Sequence, residues 1–595
     1  MPARLVPAKL AFAADGTPYS EAYGDVYHSA GGGAAQARHV FLQGNGLPGR
    51  WRGRRRFTIL ETGFGFGLSF LTAWQAWRDD ARRCERLHFV SIEKHPFERK
   101  DLEVLLSGFP LGKSLIQHWP MLVPGMHRIE LECGKVTVTL FLGDVAEGLP
   151  QLELAADAIF LDGFAPAKNP GMWEPRLLRH LGRLAAPGCT VATWSVAAAV
   201  RDAVAGAGFA VRKEKGFGTK REMLRGALVR RAKVAPEPQR SAIVVGAGVA
   251  GAAVSERLAS RGWRVTVLER HAAPAQEASG NPAGAFHPVV SPDDSLFARF
   301  TRASYVFLLN HWKNLPQLQW SRCGVLQQAR DARELASQRR AIETLGYPPA
   351  YARFDEQRGG IWFPESGWVR PTSLVNGLLS RFPIEKIFNQ EVRRISFTGE
   401  WLAKDARGHT LASAPVLILA NAADALRLAP QKAIRLRQVR GQLTLVPAIR
   451  GLEHVLLRGG MALPGIDGRS VIGASFDIDD TDRELRVDSH AGNLERLALM
   501  LPGASAGLDP ETLEGRVAFR AVVRDRLPLV GSMDPGLYGA FAYGSRGLLW
   551  AGLAGELIAS QLEGEPLPVE RKLAAAVAPA RFALREQRKA TGARA

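Results

Sequence analysis

A chain of 595 residues, 46% apolar and 23% charged, is too long for one core and reads as two or three globular domains, not as a disordered or fibrous protein. No run approaches the roughly 18 uncharged apolar residues of a membrane span. The apolar stretch 10–14, before Asp15, is too short for a secretory signal, so a cytoplasmic location is expected. Seventy-seven Lys and Arg against 58 Asp and Glu leave a net charge of +19, which fits either an arginine-rich coding bias or a polyanionic partner.

The apolar run 57–60 leads into a loop carrying Gly63, Gly65 and Gly67. Further strand-like runs at 87–92, 136–142, 158–161 and 190–193 alternate with helical stretches, which predicts a mostly parallel, doubly wound α/β sheet. Runs 209–212 and 224–229 lie close enough to form an antiparallel hairpin. Just before the first strand, residues 50–56 hold five arginines, and the tail from Arg571 holds seven basic residues; both are candidate contacts for a polyanion. Segment 233–240, charged and proline-bearing, predicts a linker between a domain at 1–232 and another at 241–595. Beyond it comes a tight βαβ opening: strand 243–245, helix 250–261, strand 264–268. Strand-like pieces at 443–446 and 471–472 follow, and the chain returns late to 541–543 and an apolar helix through Gln561. That is the pattern of a dinucleotide-binding fold with an inserted α+β domain.

The first glycine loop lacks the Lys-Ser/Thr of a triphosphate-binding loop. It has carboxylates at strand ends instead: Glu61, Glu93, Asp144 and Asp162. In an open α/β sheet the carboxyl ends of the strands form the ligand crevice. Four acids there would repel a phosphate but suit a cationic, hydroxyl-rich ligand such as S-adenosylmethionine, with Glu93 accepting from the ribose and Asp144 from the adenine amine. The second loop, Gly246, Gly248 and Gly251, is followed by Glu269 at the end of the next strand, an arrangement for a pyrophosphate and a ribose diol that favours FAD or NAD over NADP. Ser279, Gly280 and Asn281 form a second small-residue loop suited to backbone approach to a cofactor, as FAD requires. Cys84, Cys133, Cys189 and Cys323 are scattered, so free buried thiols are expected, with neither a metal site nor a disulfide framework.

Two blocks carry a resemblance. The run 61–71 (ETGFGFGLSFL) and above all 161–173 (LDGFAPAKNPGMW), with Asp25-Val26-Tyr27, 41–45 and 216–224, resemble the methyltransferase half of the bacterial tRNA 5-methylaminomethyl-2-thiouridine biosynthesis bifunctional proteins. Phe66 and Ser69 depart from that family's pattern. Residues 519–531, Gly544-Ser545-Arg546-Gly547-Leu548 and Val439-Arg440-Gly441-Gln442 resemble its oxidoreductase half, which is related to glycine and D-amino-acid oxidases. The resemblance implies a two-step modification of the wobble uridine (U34) of tRNA. An FAD-dependent removal of a carboxymethyl group from 5-carboxymethylaminomethyluridine would be followed by N-methylation with S-adenosylmethionine. It implies further that Asp162 orients the amine and takes its proton, that Phe164, Lys168, Asn169 and Trp173 contact the base, and that Arg520 and Arg546 hold the substrate carboxylate. No membrane, metal or obligatory protein partner is expected. The rival readings are a small-molecule N-substituted-glycine oxidase fused to an unrelated methyltransferase, and a scaffold whose cofactors are structural.

Overall fold

Alternating apolar runs and helices in the first 229 residues build one eight-stranded sheet in the computed structural model, which describes residues 4–229 and 239–590, with side chains to 587. Its order is Gly125–Leu131, Val136–Leu142, Arg86–Glu93, Arg56–Glu61, Ala156–Phe160, Ala185–Thr193, Glu222–Leu228, Phe209–Lys215. The five strands from Val136–Leu142 to Ala185–Thr193 run parallel, and the last two form the expected antiparallel hairpin. Period-2 alternation buries both faces, as a parallel sheet requires. Phe57, Ile59, Leu87 and Phe89 enter one core with Phe70, Trp74 and Trp77 of the helix Leu68–Asp79. Leu60, Val90 and Ile92 enter the other, under the helices Pro175–Leu184 and Ala198–Gly206.

The edge strand Gly125–Leu131, antiparallel to its neighbour, is absent from the sequence reading. His127, Arg128 and Glu130 interrupt its apolar run, yet His127 and Arg128 are buried. The cause lies far along the chain. The described residues form two units, and the N-terminal one comprises 4–229 together with the late stretch 562–572. In that stretch the Pro566 carbonyl accepts from Arg128, and Glu565 reaches Arg86 at 3.2 Å and His88 at 3.5 Å. Leu567 N donates to the Glu153 carbonyl at 3.0 Å. A single division of the chain near 233–240 therefore does not describe the units; of that expected linker, 233–238 lie outside the described residues.

The arginines of 50–56 have a different use from the one their clustering suggests. Arg50 donates to Thr190 Oγ1 at 2.6 Å and to the carbonyls of Asp157 and Gly188. Arg52 pairs with Asp80 at 2.9 Å and Arg54 with Asp157 at 2.8 Å. Arg55 meets the Glu563 carboxylate, and Arg56 its carbonyl. All five act inside the N-terminal unit.

The C-terminal unit, 239–561 with 573–590, is built on a six-stranded sheet in the order Glu385–Ile387, Arg264–Leu268, Ser241–Val245, Val416–Leu419, Leu537–Phe541, Leu529–Asp534. All its pairs are parallel except the last. The helix Val249–Ala259 follows its first strand. Inserted is a nine-stranded, largely antiparallel sheet whose longest members, Leu436–Pro447 and Glu514–Val523, pair from Leu436↔Val523 to Leu445↔Glu514. The chain is thus α/β, with two Rossmann-like sheets and an α+β insertion. Of the thiols, Cys84 and Cys189 are buried, whereas Cys133 is exposed and Cys323 half-buried, so free thiols are present but only two are core residues. No helix among the described residues is long and apolar enough to cross a membrane.

Candidate active sites

In the N-terminal unit the strand ends open into a cavity of about 950 Å³. Gly63, Gly65, Glu93, Asp144, Asp162, Phe164 and Asn169 line it, which gathers most of the residues that the sequence singled out. The glycine loop is tight for a physical reason. Gly65 and Gly67 have φ of +56° and +86°, where L side chains are strained, and a Cβ on Gly63 would meet the Asp162 carbonyl at 3.3 Å. Glu93 accepts from Gly65 N at 2.6 Å and from His95 N at 2.7 Å, and burial raises its pKa against those bonds. Each oxygen keeps a lone pair for a diol. Asp144 caps the short helix Val145–Gly148 through Ala146 N and pairs with Lys94 at 2.9 Å. Desolvation opposes ionisation there, but the amide and the ammonium win and hold its pKa below the usual carboxylate value.

Asp162 is different. Enclosure raises its pKa to about 7, against a hydrogen bond from Gly163 N, one from Trp194 and the charge of Lys220. A carboxylate of that pKa takes and returns protons near neutrality.

Four expected contacts do not line the cavity. Gly67 lies off it, packed against Phe64 and Leu115. Glu61 lies beneath it, buried, accepting from Ser91 Oγ at 2.8 Å, with a pKa pushed well up by desolvation and by Asp162. Trp173 is also buried, its indole N–H donating to the Phe164 carbonyl at 2.9 Å, so it shapes the loop from behind. Lys168 is exposed outside. In their place stand Tyr23, stacked on Phe164 with ring centroids 4.7 Å apart, and Asp25, which accepts from Ala165 N at 2.9 Å. Trp194 and Lys220 also line the cavity, the ammonium 3.4 Å from the ring centroid. Asp25 and Lys220 sat in motifs already quoted; Tyr23 and Trp194 had no signal, because only the fold brings them beside Asp162.

The second cavity, about 200 Å³, is lined by Gly246, Gly248, Glu269, Ser279 and Arg520. Gly246 (φ +104°) would place a Cβ 2.9 Å from the Ala420 carbonyl, and one on Gly251 would fall 1.9 Å from the Gly246 carbonyl, so helix and strand pack as closely as backbone permits. Glu269 accepts from Ala247 N at 2.7 Å and His271 N at 3.0 Å, and Ser279 Oγ from Val249 N at 3.0 Å. Gly280 lies off the cavity, packed against the Ala275 carbonyl and Arg516. Buried polar atoms remain without a hydrogen-bond partner among the described residues: Asn281 Oδ1, Asn421 Oδ1 and the Tyr543 hydroxyl. Asn421 and Tyr543 face the cavity. Asn281 lies off it. An orphan acceptor and a hydroxyl beside a glycine cradle fit a polar cofactor such as FAD.

Arg520 lies across Gly441, whose Cβ would meet its guanidinium at 2.5 Å; the glycine of the Val439–Gln442 motif is there to let the arginine pass. Among the described residues its recorded hydrogen-bond acceptor is the Ser475 carbonyl at 3.4 Å, with no carboxylate at ion-pair distance, and burial lowers its pKa. Arg546 does not line this cavity. It lies over the Phe297 ring at 5.6 Å, its pKa lowered to about 10 by burial and then by Arg526. Beside it His287 is held neutral, pushed down to about 3 by burial and the Arg546 charge.

Residues 241–561 match the family of FAD dependent oxidoreductases, and 108–229 that of S-adenosyl-L-methionine-dependent methyltransferases. FAD and S-adenosylmethionine are therefore its cofactors. Among solved structures, the L-proline dehydrogenase of P. horikoshii shares the fold of the oxidoreductase part, at 16% identity and a TM-score of 0.50 over 59% of this chain and 99% of that one. Over nearly their whole lengths, two relatives named tRNA 5-methylaminomethyl-2-thiouridine biosynthesis bifunctional protein align. The one from Paraburkholderia phytofirmans is 47% identical over 98% of this chain and 99% of its own, and that from Burkholderia multivorans 48% over 99% of each. With both cofactor folds in the same order and this identity from end to end, the chain belongs to the family of tRNA 5-methylaminomethyl-2-thiouridine biosynthesis bifunctional proteins.

Proposed function

We propose that the C-terminal unit removes the carboxymethyl group from 5-carboxymethylaminomethyl-(2-thio)uridine at the wobble position of tRNA, and that the N-terminal unit then methylates the exposed amine. One observation carries the reading. The first cavity holds an enclosed carboxylate, Asp162, and the second a half-buried guanidinium, Arg520, without a carboxylate partner among the described residues. A site for a carboxylate and a site for an amine are what a substrate needs before and after losing a carboxymethyl group.

Bound FAD supplies the two-electron oxidation of the carbon–nitrogen bond. Around it the chain anchors and orients. Arg520 grips the substrate carboxylate, a charge-assisted contact worth about 1.5–3 kcal/mol. Glu269 takes the ribose hydroxyls of the cofactor, and Gly246, Gly248, Ser279 and Asn281 admit its phosphates and ring system. Hydrolysis of the oxidised bond releases glyoxylate and leaves a primary aminomethyl group on the base. In the N-terminal unit Glu93 and Asp144 would hold the ribose and adenine of S-adenosylmethionine, with Gly63 and Gly65 leaving room for it. Phe164, backed by Tyr23, stacks on the uracil, and Asn169 borders it. Asp162 accepts the proton that an alkylammonium must lose before its lone pair can attack the methyl group.

The net charge of +19 and the relatives' names support tRNA as partner, and a tRNA substrate supports a cytoplasmic location. The test is mass spectrometry of nucleosides from tRNA carrying the carboxymethylaminomethyl group, incubated with the protein with and without S-adenosylmethionine. Loss of the carboxymethyl group without the methyl donor, and a gain of one methyl with it, is the expected result. An unchanged nucleoside from flavin-loaded protein would favour the small-molecule reading.

A further inference from the structure

The methyltransferase cavity holds a cation that the cofactor-binding residues do not account for. Lys220 sits in the loop between Phe209–Lys215 and Glu222–Leu228, with Nζ 3.4 Å from the centroid of the Trp194 ring. Lys220, Trp194 and Asp162 line the same cavity, where the Trp194 indole N–H, a donor only, and the Lys220 charge both favour the ionised Asp162 carboxyl. An ammonium on an indole face withdraws electron density and makes the edge N–H a stronger donor. We propose that Lys220 is a positioning residue of the methyl-transfer site which, acting through Trp194, keeps the Asp162 carboxylate ionised and so able to take the substrate's proton.

The proposal rests on the methyl-transfer reading above, and the chemistry defines why the charge matters. The substrate ammonium gives its proton to the Asp162 carboxylate. The freed nitrogen lone pair then forms the new N–C bond as the C–S bond of the sulfonium donor breaks, the electron pair staying on sulfur. A protonated Asp162 cannot begin that sequence, and enclosure alone drives it toward protonation, to a pKa of about 7 even with Lys220 present. Three other acids face the cluster. Asp25 also draws on the Lys220 charge, Glu61 lies buried with its own pKa pushed well up by desolvation and by Asp162, and Glu222 is paired with Lys213 at 2.8 Å. None of them supplies positive charge to Asp162.

The sign is set by Asp162 acting as an ionised acceptor. Methylation falls as pH drops through its pKa, and losing the Lys220 charge moves that acid limb upward. The experiment follows methyl incorporation into tRNA bearing 5-aminomethyluridine, across the acid-to-neutral range at saturating S-adenosylmethionine. Lys220→Met and Trp194→Phe are each expected to move the limb up by about one pH unit, a roughly tenfold loss below it. Lys220→Arg, which keeps a cation over the ring, returns it toward the wild-type position. Donor binding, measured separately by calorimetry, stays within a few-fold. A wild-type limb in both Lys220→Met and Trp194→Phe, or a Lys220→Arg limb displaced as far as that of Lys220→Met, overturns the proposal. Wild-type protein that fails to methylate this tRNA overturns the underlying reading instead.

Discussion

Asp162 and Arg520 are opposite solutions to one problem, each a charge kept inside a cavity for want of its natural partner. They act in separate units, so their effects should separate cleanly. Asp162→Ala is expected to lower methylation by at least about 100-fold while carboxymethyl removal stays within a few-fold of wild type. Arg520→Ala is expected to do the reverse, with flavin content unchanged in the absorbance spectrum. Nucleoside mass spectrometry on each folded variant reads both steps at once. The glycines and strand-end acids were legible in the chain because φ > 0 and strand termini leave local marks. Glu61 and Trp173 were not, because whether a polar or aromatic side chain faces the cavity or the layer beneath it depends on neighbours such as Ser91 and Phe164, from other parts of the chain. The arginines of 50–56 mislead for the same reason. Their count signals a polyanion surface, but their acceptors are Thr190, Asp80, Asp157 and Glu563 of the same unit.

Elements were most legible where a run of apolar residues marks them. The parallel strands and the hairpin Phe209–Lys215 with Glu222–Leu228 follow from runs of apolar residues. Gly125–Leu131 did not declare itself, because a strand carrying His127, Arg128 and Glu130 makes sense only once stretch 562–572 is beside it. That stretch is a structural element without regular secondary structure over most of its length, held by buried ionic contacts. Glu565 is fully enclosed beside Arg86 and His88. Removing one partner of a buried pair leaves a stranded charge at a cost of about 3–5 kcal/mol. Glu565→Ala should therefore loosen this edge of the sheet. Hydrogen exchange measured by mass spectrometry is expected to quicken in Gly125–Leu131 and Arg86–Glu93 while the six-stranded sheet of the C-terminal unit keeps its protection. Equal protection in the variant would mean that 562–572 contributes little to the unit.

At the scale of the whole molecule, a net charge of +19 predicts that tRNA binding weakens steeply with salt, the logarithm of affinity falling linearly with the logarithm of salt concentration. Because Arg52 and Arg54 are tied to Asp80 and Asp157, substituting either by alanine should leave both affinity and salt slope nearly unchanged. A slope reduced by about one unit for either arginine would return the cluster to the tRNA surface.

The inclusion of 562–572 in the N-terminal unit also bears on the birth of the protein. A ribosome emits the chain from its first residue onward, at about 5–20 residues per second. The carboxylates awaited by Arg55, Arg86 and His88 emerge tens of seconds after those cations, once the oxidoreductase portion has been translated. A nascent or prematurely terminated chain therefore holds an unfinished methyltransferase, and the enzyme that adds the methyl group is completed only when most of the one that prepares its substrate has been made.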